Sequence, residues 1–359
     1  MAINSEDLIN FIFIFSASLV LSVALVFVRI GRGVSDLSAQ QSSHTRPTSR
    51  LGGLSVVGAI FIGTWFWFVS AELSAAYQLF LIVSAPLFIA GLAEDFGVAT
   101  GVRLRLLAAV VSGAGFVVAF GQWLPRLDVA ILDVAMAWPV FAVPFTVVAC
   151  AGVAHAFNLI DGINGLSSVV SIGACAALMA ICAQVGLWSH FQALGLLLAA
   201  VAGFMVVNFP FGRLFLGDGG AYIIGHILVW TAVSVVWMSP DVSTFAVLLI
   251  FFWPIADTVL AIWRRGTRGR DMTQPDRLHF HQLVMRGLEV TVLGRERREI
   301  ANPLATVVIT PLAIAPMVLG TVSYNSHLAS VIFTVFSSVC FVSAYLLGIK
   351  WARIARRRM

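Results

Sequence analysis

Long apolar runs alternate with short polar junctions along the whole chain. A membrane-spanning helix needs about 20 apolar residues. Eleven runs approach that length, at about 8–29, 51–70, 76–92, 104–121, 137–155, 165–185, 190–208, 220–238, 242–263, 304–324 and 327–348. The stretch 122–136, which holds "LDVAILDVA", reads as a short interfacial piece. The pattern predicts an all-α integral membrane fold, a polytopic bundle of about 11 transmembrane helices. It forms one domain over 1–359, with an Arg/His-rich loop at 264–303 and a basic tail at 350–359.

Charge orients the bundle. With the N-terminus outside, every Lys and Arg except Arg126 falls on the opposite side, from Arg29 and Arg32 to the tail "KWARIARRRM". Short basic loops stay in the cytoplasm, so the expectation is a multi-pass membrane protein with a cytoplasmic C-terminus. The first run has Glu6 and Asp7 before it and no basic leader, so it reads as a retained span and not as a secretion signal.

Composition agrees: 60% of residues are hydrophobic and 11% charged, against roughly a quarter charged in soluble domains. The implied partners are the lipid bilayer and anionic small molecules, not nucleic acid. Cys150, Cys175, Cys182 and Cys340 lie in apolar runs without C-x-x-C spacing, which suggests neither a disulfide framework nor a zinc site.

The acids carry the chemistry. Glu94, Asp95, Asp161 and Asp218 each sit at a junction between loop and span, all on the basic side. Ionisable groups at membrane depth are costly and are tolerated around a pathway or a site, so four such acids on one face suggest one shared site. The plain alternative is that loops are polar because they are loops.

Four motifs sharpen this. In "HAFNLIDGINGLSS" (155–168), Asn158, Asp161 and Asn164 are spaced by threes where one span ends and the next begins. In "GLAEDFGVATGVRLRL" (91–106), Glu94 and Asp95 are adjacent, so on a helix they point roughly 100° apart and do not form one clamp. "NFPFGRLFLGDGGAYIIG" (208–225) frames Asp218 with Gly217, Gly219 and Gly220 before an apolar helix. Glycines let a backbone approach a ligand, helix N-termini favour phosphate, and magnesium is commonly held by one or two carboxylates plus substrate phosphates. "WRRGTRGRDMTQPDRLHFHQLVMRG" (263–287) is strongly basic and includes Arg277, His279 and His281. Two His without Cys make a poor zinc pattern, whereas a basic loop with histidines suits a diphosphate.

These loops together resemble the polyprenyl-phosphate N-acetylhexosamine-1-phosphate transferases, in order and spacing, from "RPTSRLGGLSV" (46–56) to "DRLHFHQLVMRG". The resemblance implies magnesium-dependent transfer of a sugar-1-phosphate from a UDP-sugar to undecaprenyl phosphate, releasing UMP, with manganese as a substitute metal. It starts a cell-surface polysaccharide, and a homodimer is compatible with such folds. The resemblance assigns catalytic roles to Asp95, Glu94 and Asp161 and the metal to Asp218. It assigns substrate contacts to Asn158, Asn164, Arg103, Asn208, Phe215, Asp257, Arg277, His279 and His281. Asn208 and Phe215 match uridine-contacting positions, and Arg103 falls where the family usually has Lys. Four positions depart from the family pattern: Glu94 for Asp, His155 for Asn, Asn164 for Asp and Gln282 for His. They motivate a rival reading, a catalytically silent relative acting as a lipid-linked scaffold. A secondary transporter is the rival from another class; it calls for midplane charges and paired halves, neither of which the sequence displays.

Overall fold

In a computed structural model the described residues are 5–28, 48–66, 71–267 and 279–357, and they are helical apart from turns and one isolated bridge at Ser49. The helices are α1 (Ser5–Phe27), α2 (Gly52–Phe66), α3 (Ala71–Asp95), α4 (Val102–Phe120), α5 (Ala130–Met136), α6 (Pro139–Ile160) and α7 (Leu166–Val185). They continue as α8 (Trp188–Asn208), α9 (Gly217–Met238), α10 (Thr244–Ile250), α11 (Phe252–Thr267), α12 (Phe280–Leu288), α13 (Arg298–Val322) and α14 (His327–Arg357).

The protein is an all-α, multi-pass membrane protein. Among the described residues nine helices are long and apolar enough to cross a bilayer, ten if α10 and α11 count as one bent span. The expected second span (51–70) is the 15-residue α2, and the interfacial piece expected at 122–136 is α5, over Ala130–Met136. The expected ninth span (242–263) is a correction: it breaks after Ile250, and α10 and α11 meet at 80°. Pro254 favours the break. It has no N–H to offer the Ile250 carbonyl, and its ring clashes with that carbonyl in a continuing helix. The chain therefore turns at Phe251, and α11 carries Asp257 away from the line of α10.

Helix α9 is the axis of the bundle. It is apolar all round, as a helix enclosed by others should be, and every residue from Gly217 to Val236 is buried. It packs against α2, α3 and α6. Its N-terminal glycines are what allow this. A Cβ on Gly91 of α3 would lie 2.6 Å from Gly219 Cα, and one on Gly53 of α2 would lie 2.5 Å from Gly220 Cα. The glycines of "GDGG" thus bring three helices together around Asp218, where the sequence suggested close approach to a ligand.

The helix directions gather one set of termini at one end. There α3, α6 and α8 finish and α2, α4, α7 and α9 begin. The opposite end is pinned by Arg126, which donates to the carbonyls of Pro240 (2.7 Å) and Val242 (2.8 Å) and to Asp128 (3.0 Å). Asp128 in turn accepts from the Thr244 amide at 2.6 Å. The one basic residue set apart in the sequence is therefore a loop staple. Cys150, Cys175 and Cys182 are buried and Cys340 is exposed, all unpaired.

Candidate active site

The polar junctions converge at the first of these ends. Residues 49–53 run alongside 215–216: Phe215 N donates to Ser49 O (2.9 Å), Gly52 N to Phe215 O (2.8 Å) and Gly53 N to Leu216 O (2.8 Å). Gly217 has φ +79°, and a side chain there would collide with the Arg50 carbonyl and lie 2.6 Å from Asp95 Oδ2. This packing holds Arg50 beside both acids. Its Nη2 donates to Asp218 Oδ1 at 2.5 Å, and its Nε lies 3.5 Å from Asp95 Oδ1. Arg105 takes the other oxygen, Nη1 to Asp218 Oδ2 at 2.6 Å. Burial acts to lower the Arg50 pKa, but the fields of Asp218, Asp95, Asp161 and Glu94 outweigh it and raise it.

Asp95 is 2% exposed and caps α9, accepting from the amides of Asp218 (2.8 Å) and Gly219 (2.9 Å). A carboxylate at a helix N-terminus satisfies orphan N–H groups and meets the positive end of the helix dipole. Glu94 points elsewhere, as adjacent helical residues must. Its Oε2 accepts from Thr100 N (2.8 Å) and Thr100 Oγ1 (2.7 Å), closing the α3–α4 turn. An Asp at 94 would be one methylene shorter, which gives this departure a local reason.

Asp161 lies just beyond α6, half-buried, and its carboxylate has no hydrogen bond among the described residues. Burial raises its pKa to about 7; Arg50 pulls it down, and Asp218 and Asp95 push it up. The half-buried Asn158 amide is likewise without a partner among the described residues. Asn164, in contrast, is tied into the scaffold. Its N–H donates to Asn302 Oδ1 (2.8 Å), its carbonyl accepts from Thr306 (2.7 Å), and its Nδ2 donates to Pro210 O (2.9 Å). Its Oδ1 alone is buried without a partner. An ionised Asp could not donate to the Pro210 carbonyl, so this departure too has a local reason.

Asn208 clips two loops together, its Oδ1 accepting from Gly165 N (2.7 Å) and its Nδ2 donating to Leu214 O (2.8 Å). Phe215 is half-buried on the same loop. Arg103 is exposed at the start of α4, so of the two arginines there it is Arg105 that reaches Asp218.

The histidine segment closes the site from the far side. Asp257 accepts from His279 Nδ1 (2.9 Å) and from the Phe280 amide (2.9 Å), capping α12. His281 stacks on His279 at 5.8 Å, and its Nε2 abuts Gly162 in the turn after Asp161. Both of its ring nitrogens are buried without partners. Arg277 lies outside the described residues.

Burial lowers the His281 pKa to about 4, with Asp257 opposing and His279 adding to the effect. Relative to an ordinary value near 6.5, its neutral form is favoured on folding. That stability is fully present above pH 6.5 and is lost as pH falls towards 4. Thermal unfolding in detergent should show a loss of at most about 3 kcal/mol between pH 7 and 4 from this residue. His281→Gln should flatten that part of the profile, and an unchanged profile would remove His281 as the cause.

The carboxylates fit a hard divalent cation, since magnesium takes oxygen ligands. They are not gathered as a ready-made ligand group: among the described residues no three His, Cys, Asp or Glu side chains converge as one. The Asp95 oxygens hold amides and the Asp218 oxygens hold arginines. Arg50, Arg105, Asn302 and Thr306 were absent from the residues singled out by sequence. Arg50 does precede the Gly-Gly of a quoted motif, and Arg105 follows Arg103 by two.

Carboxylates and guanidinium groups gathered at one end of a membrane bundle are the chemistry that suits phosphate-bearing molecules at a bilayer surface. Residues 77–236, which include Asp95, Arg105, Asp161 and Asp218, match glycosyl transferase family 4. An undecaprenyl-phosphate alpha-N-acetylglucosaminyl 1-phosphate transferase of Escherichia coli strain K12 is 27% identical over 98% of this chain and 93% of its own length. One of Yersinia pestis is 27% identical over 79% and 77%. A probable undecaprenyl-phosphate N-acetylglucosaminyl 1-phosphate transferase of Bacillus subtilis is 25% identical over 76% of each chain. Over residues 77–236 by family model, and over most of its length against these relatives, the chain is similar to the proteins that its motifs resemble.

Proposed function

We propose that this protein transfers an N-acetylhexosamine-1-phosphate from a UDP-sugar to undecaprenyl phosphate at the cytoplasmic face of the inner membrane. The products are UMP and the first lipid-linked intermediate of a cell-surface polysaccharide. The observation that carries the reading is the meeting of Arg50, Arg105, Asp161 and Asp218 at the helix ends, where a lipid phosphate and a soluble nucleotide can both arrive.

An oxygen of the acceptor phosphate attacks the β-phosphorus, and the bond to the UMP oxygen breaks. Catalysis of this kind is mostly positioning and charge stabilisation. Magnesium, held by Asp218 with Asp161 beside it, would supply neutralisation of the diphosphate. Arg50 and Arg105 bind phosphate oxygens. Asp161, with an unengaged carboxylate, orients the incoming acceptor together with the Asn158 amide. Asp95 and Asn208 position the Asp218 loop, and Asp257 with His279 positions α12 against it. An attacking phosphate is already largely ionised near neutral pH, its second pKa being about 6 by analogy with phosphoserine, so a strong base is not required. The local reasons found for Glu94 and Asn164 favour this reading over the silent scaffold, because Glu94 keeps a carboxylate and Asn164 has a structural part that needs its amide.

The test is membranes containing the protein, undecaprenyl phosphate and magnesium, offered a panel of UDP-N-acetylhexosamines. UMP release with a lipid-linked product from one donor is the expected result. Silence across the panel from folded protein would count against transferase activity.

A further inference from the structure

Within the site Asp218 is already paired. Both oxygens of Asp218 are engaged, Oδ1 by Arg50 and Oδ2 by Arg105, at 2.5 and 2.6 Å. A cation approaching either oxygen meets the positive charge of the guanidinium already bound there. The two arginines are not equally free to move. The Arg50 side chain is 36% exposed, and its backbone is fixed by the pairing of 49–53 with 215–216, so the guanidinium can swing while its anchor stays. Arg105 is 16% exposed, and its Nε is buried with no acceptor among the described residues. An incoming phosphate oxygen would satisfy that unmatched donor. Guanidinium groups prefer planar, bidentate contacts to phosphate.

We propose that Arg50 and Arg105 form a latch on Asp218, standing in for the cation until a nucleotide diphosphate draws them off. Divalent cation and diphosphate therefore bind this site cooperatively. The inference rests on the reading of Asp218 as the cation-holding residue. The coupling follows from exchange. Metal alone must displace an arginine into an acidic, half-buried site with no new anion to receive it. Metal with diphosphate leaves the arginine on phosphate and Asp218 on the metal. A ligand shifts an equilibrium only by its differential affinity for the two states, and the effect must be reciprocal.

Binding of Mn2+ to the full chain in detergent, read by the bound fraction in electron paramagnetic resonance, tests this without turnover. Titrations are run with and without UDP, and protein-free UDP titrations are subtracted. Wild type should bind Mn2+ at least about tenfold more tightly with UDP, within the range of ordinary coupling. Arg50→Gln should bind Mn2+ more tightly than wild type in the absence of UDP and lose most of the UDP effect. Arg50→Lys, which keeps the charge but not the fork, should fall between, and melting curves confirm that each variant is folded. Equal affinity with and without UDP in wild type would overturn the latch. So would an Arg50→Gln protein, folded, with wild-type coupling. Absence of Mn2+ binding under every condition would overturn the cation reading as well, while UMP release reports on the transferase reading separately.

Discussion

Asp218→Asn is expected to reduce UMP release by about a hundredfold to a thousandfold, the scale seen when a central electrostatic group is removed from a preorganised site. The substitution keeps the size of the side chain and removes its charge. One amide oxygen remains to accept from a guanidinium, where the carboxylate accepts from Arg50 and Arg105 on separate oxygens. The variant therefore loses its place for a cation and leaves two guanidiniums sharing one neutral acceptor. Its backbone should survive, because the Asp218 N–H and not its side chain is what Asp95 holds. Abundance in membranes and melting temperature should stay close to wild type, while the response to added magnesium disappears. Activity within tenfold of wild type would exclude Asp218 from the reaction.

How the site reads from sequence depends on the kind of residue. The apolar runs and the junction acids were legible, because a bilayer forbids uncompensated charge and makes each exception conspicuous. Asp95, Asp161 and Asp218 do come together, and His281 does reach the turn after Asp161. The division of labour among them was not legible. Asp95 and Glu94 are neighbours in sequence, yet one caps α9 and the other closes a turn, because roughly 100° of helix rotation sends them to different partners. The resemblance pointed to Arg103, whereas the packing of α4 against α3 and α6 turns Arg105 to Asp218. Arg50 was hidden for another reason. Its position is set by a pairing with residues more than 160 positions away, and the Gly-Gly motif beside it does not reveal that partner. Pro254 marks a candidate break after Ile250, but Pro311 and Pro316 lie inside the unbroken α13, so a proline alone does not decide where a span breaks. The break was masked by the apolar run around it, which hydropathy reads as one span.

Gly91→Ala should be as damaging as a change in the site itself, although residue 91 bears no functional group. The added Cβ would lie 2.6 Å from the Gly219 backbone N and Cα and 2.9 Å from the Asp218 carbonyl carbon. These are main-chain atoms in a fully buried helix, so no side-chain rotation relieves the contact. Helix α3 must move off α9, and one turn further along α3 sits Asp95, whose two oxygens hold the Asp218 and Gly219 amides. Overpacking of this kind costs about 1–3 kcal/mol. A displacement near 1 Å at a reacting centre costs about a hundredfold in rate. The variant is therefore expected to melt earlier and to release UMP at least about a hundredfold more slowly, with Asp218 unchanged in sequence. Gly152→Ala is the matched comparison. It lies in α6 with nothing within 4 Å of the added Cβ, so it should keep full activity and gain up to about 1 kcal/mol in helix propensity. Equal behaviour of the two variants would mean that the α3–α9 crossing does not set the geometry of the site. A selective loss in Gly91→Ala would show that the glycine spacing, as much as the acids, holds the chemistry in place.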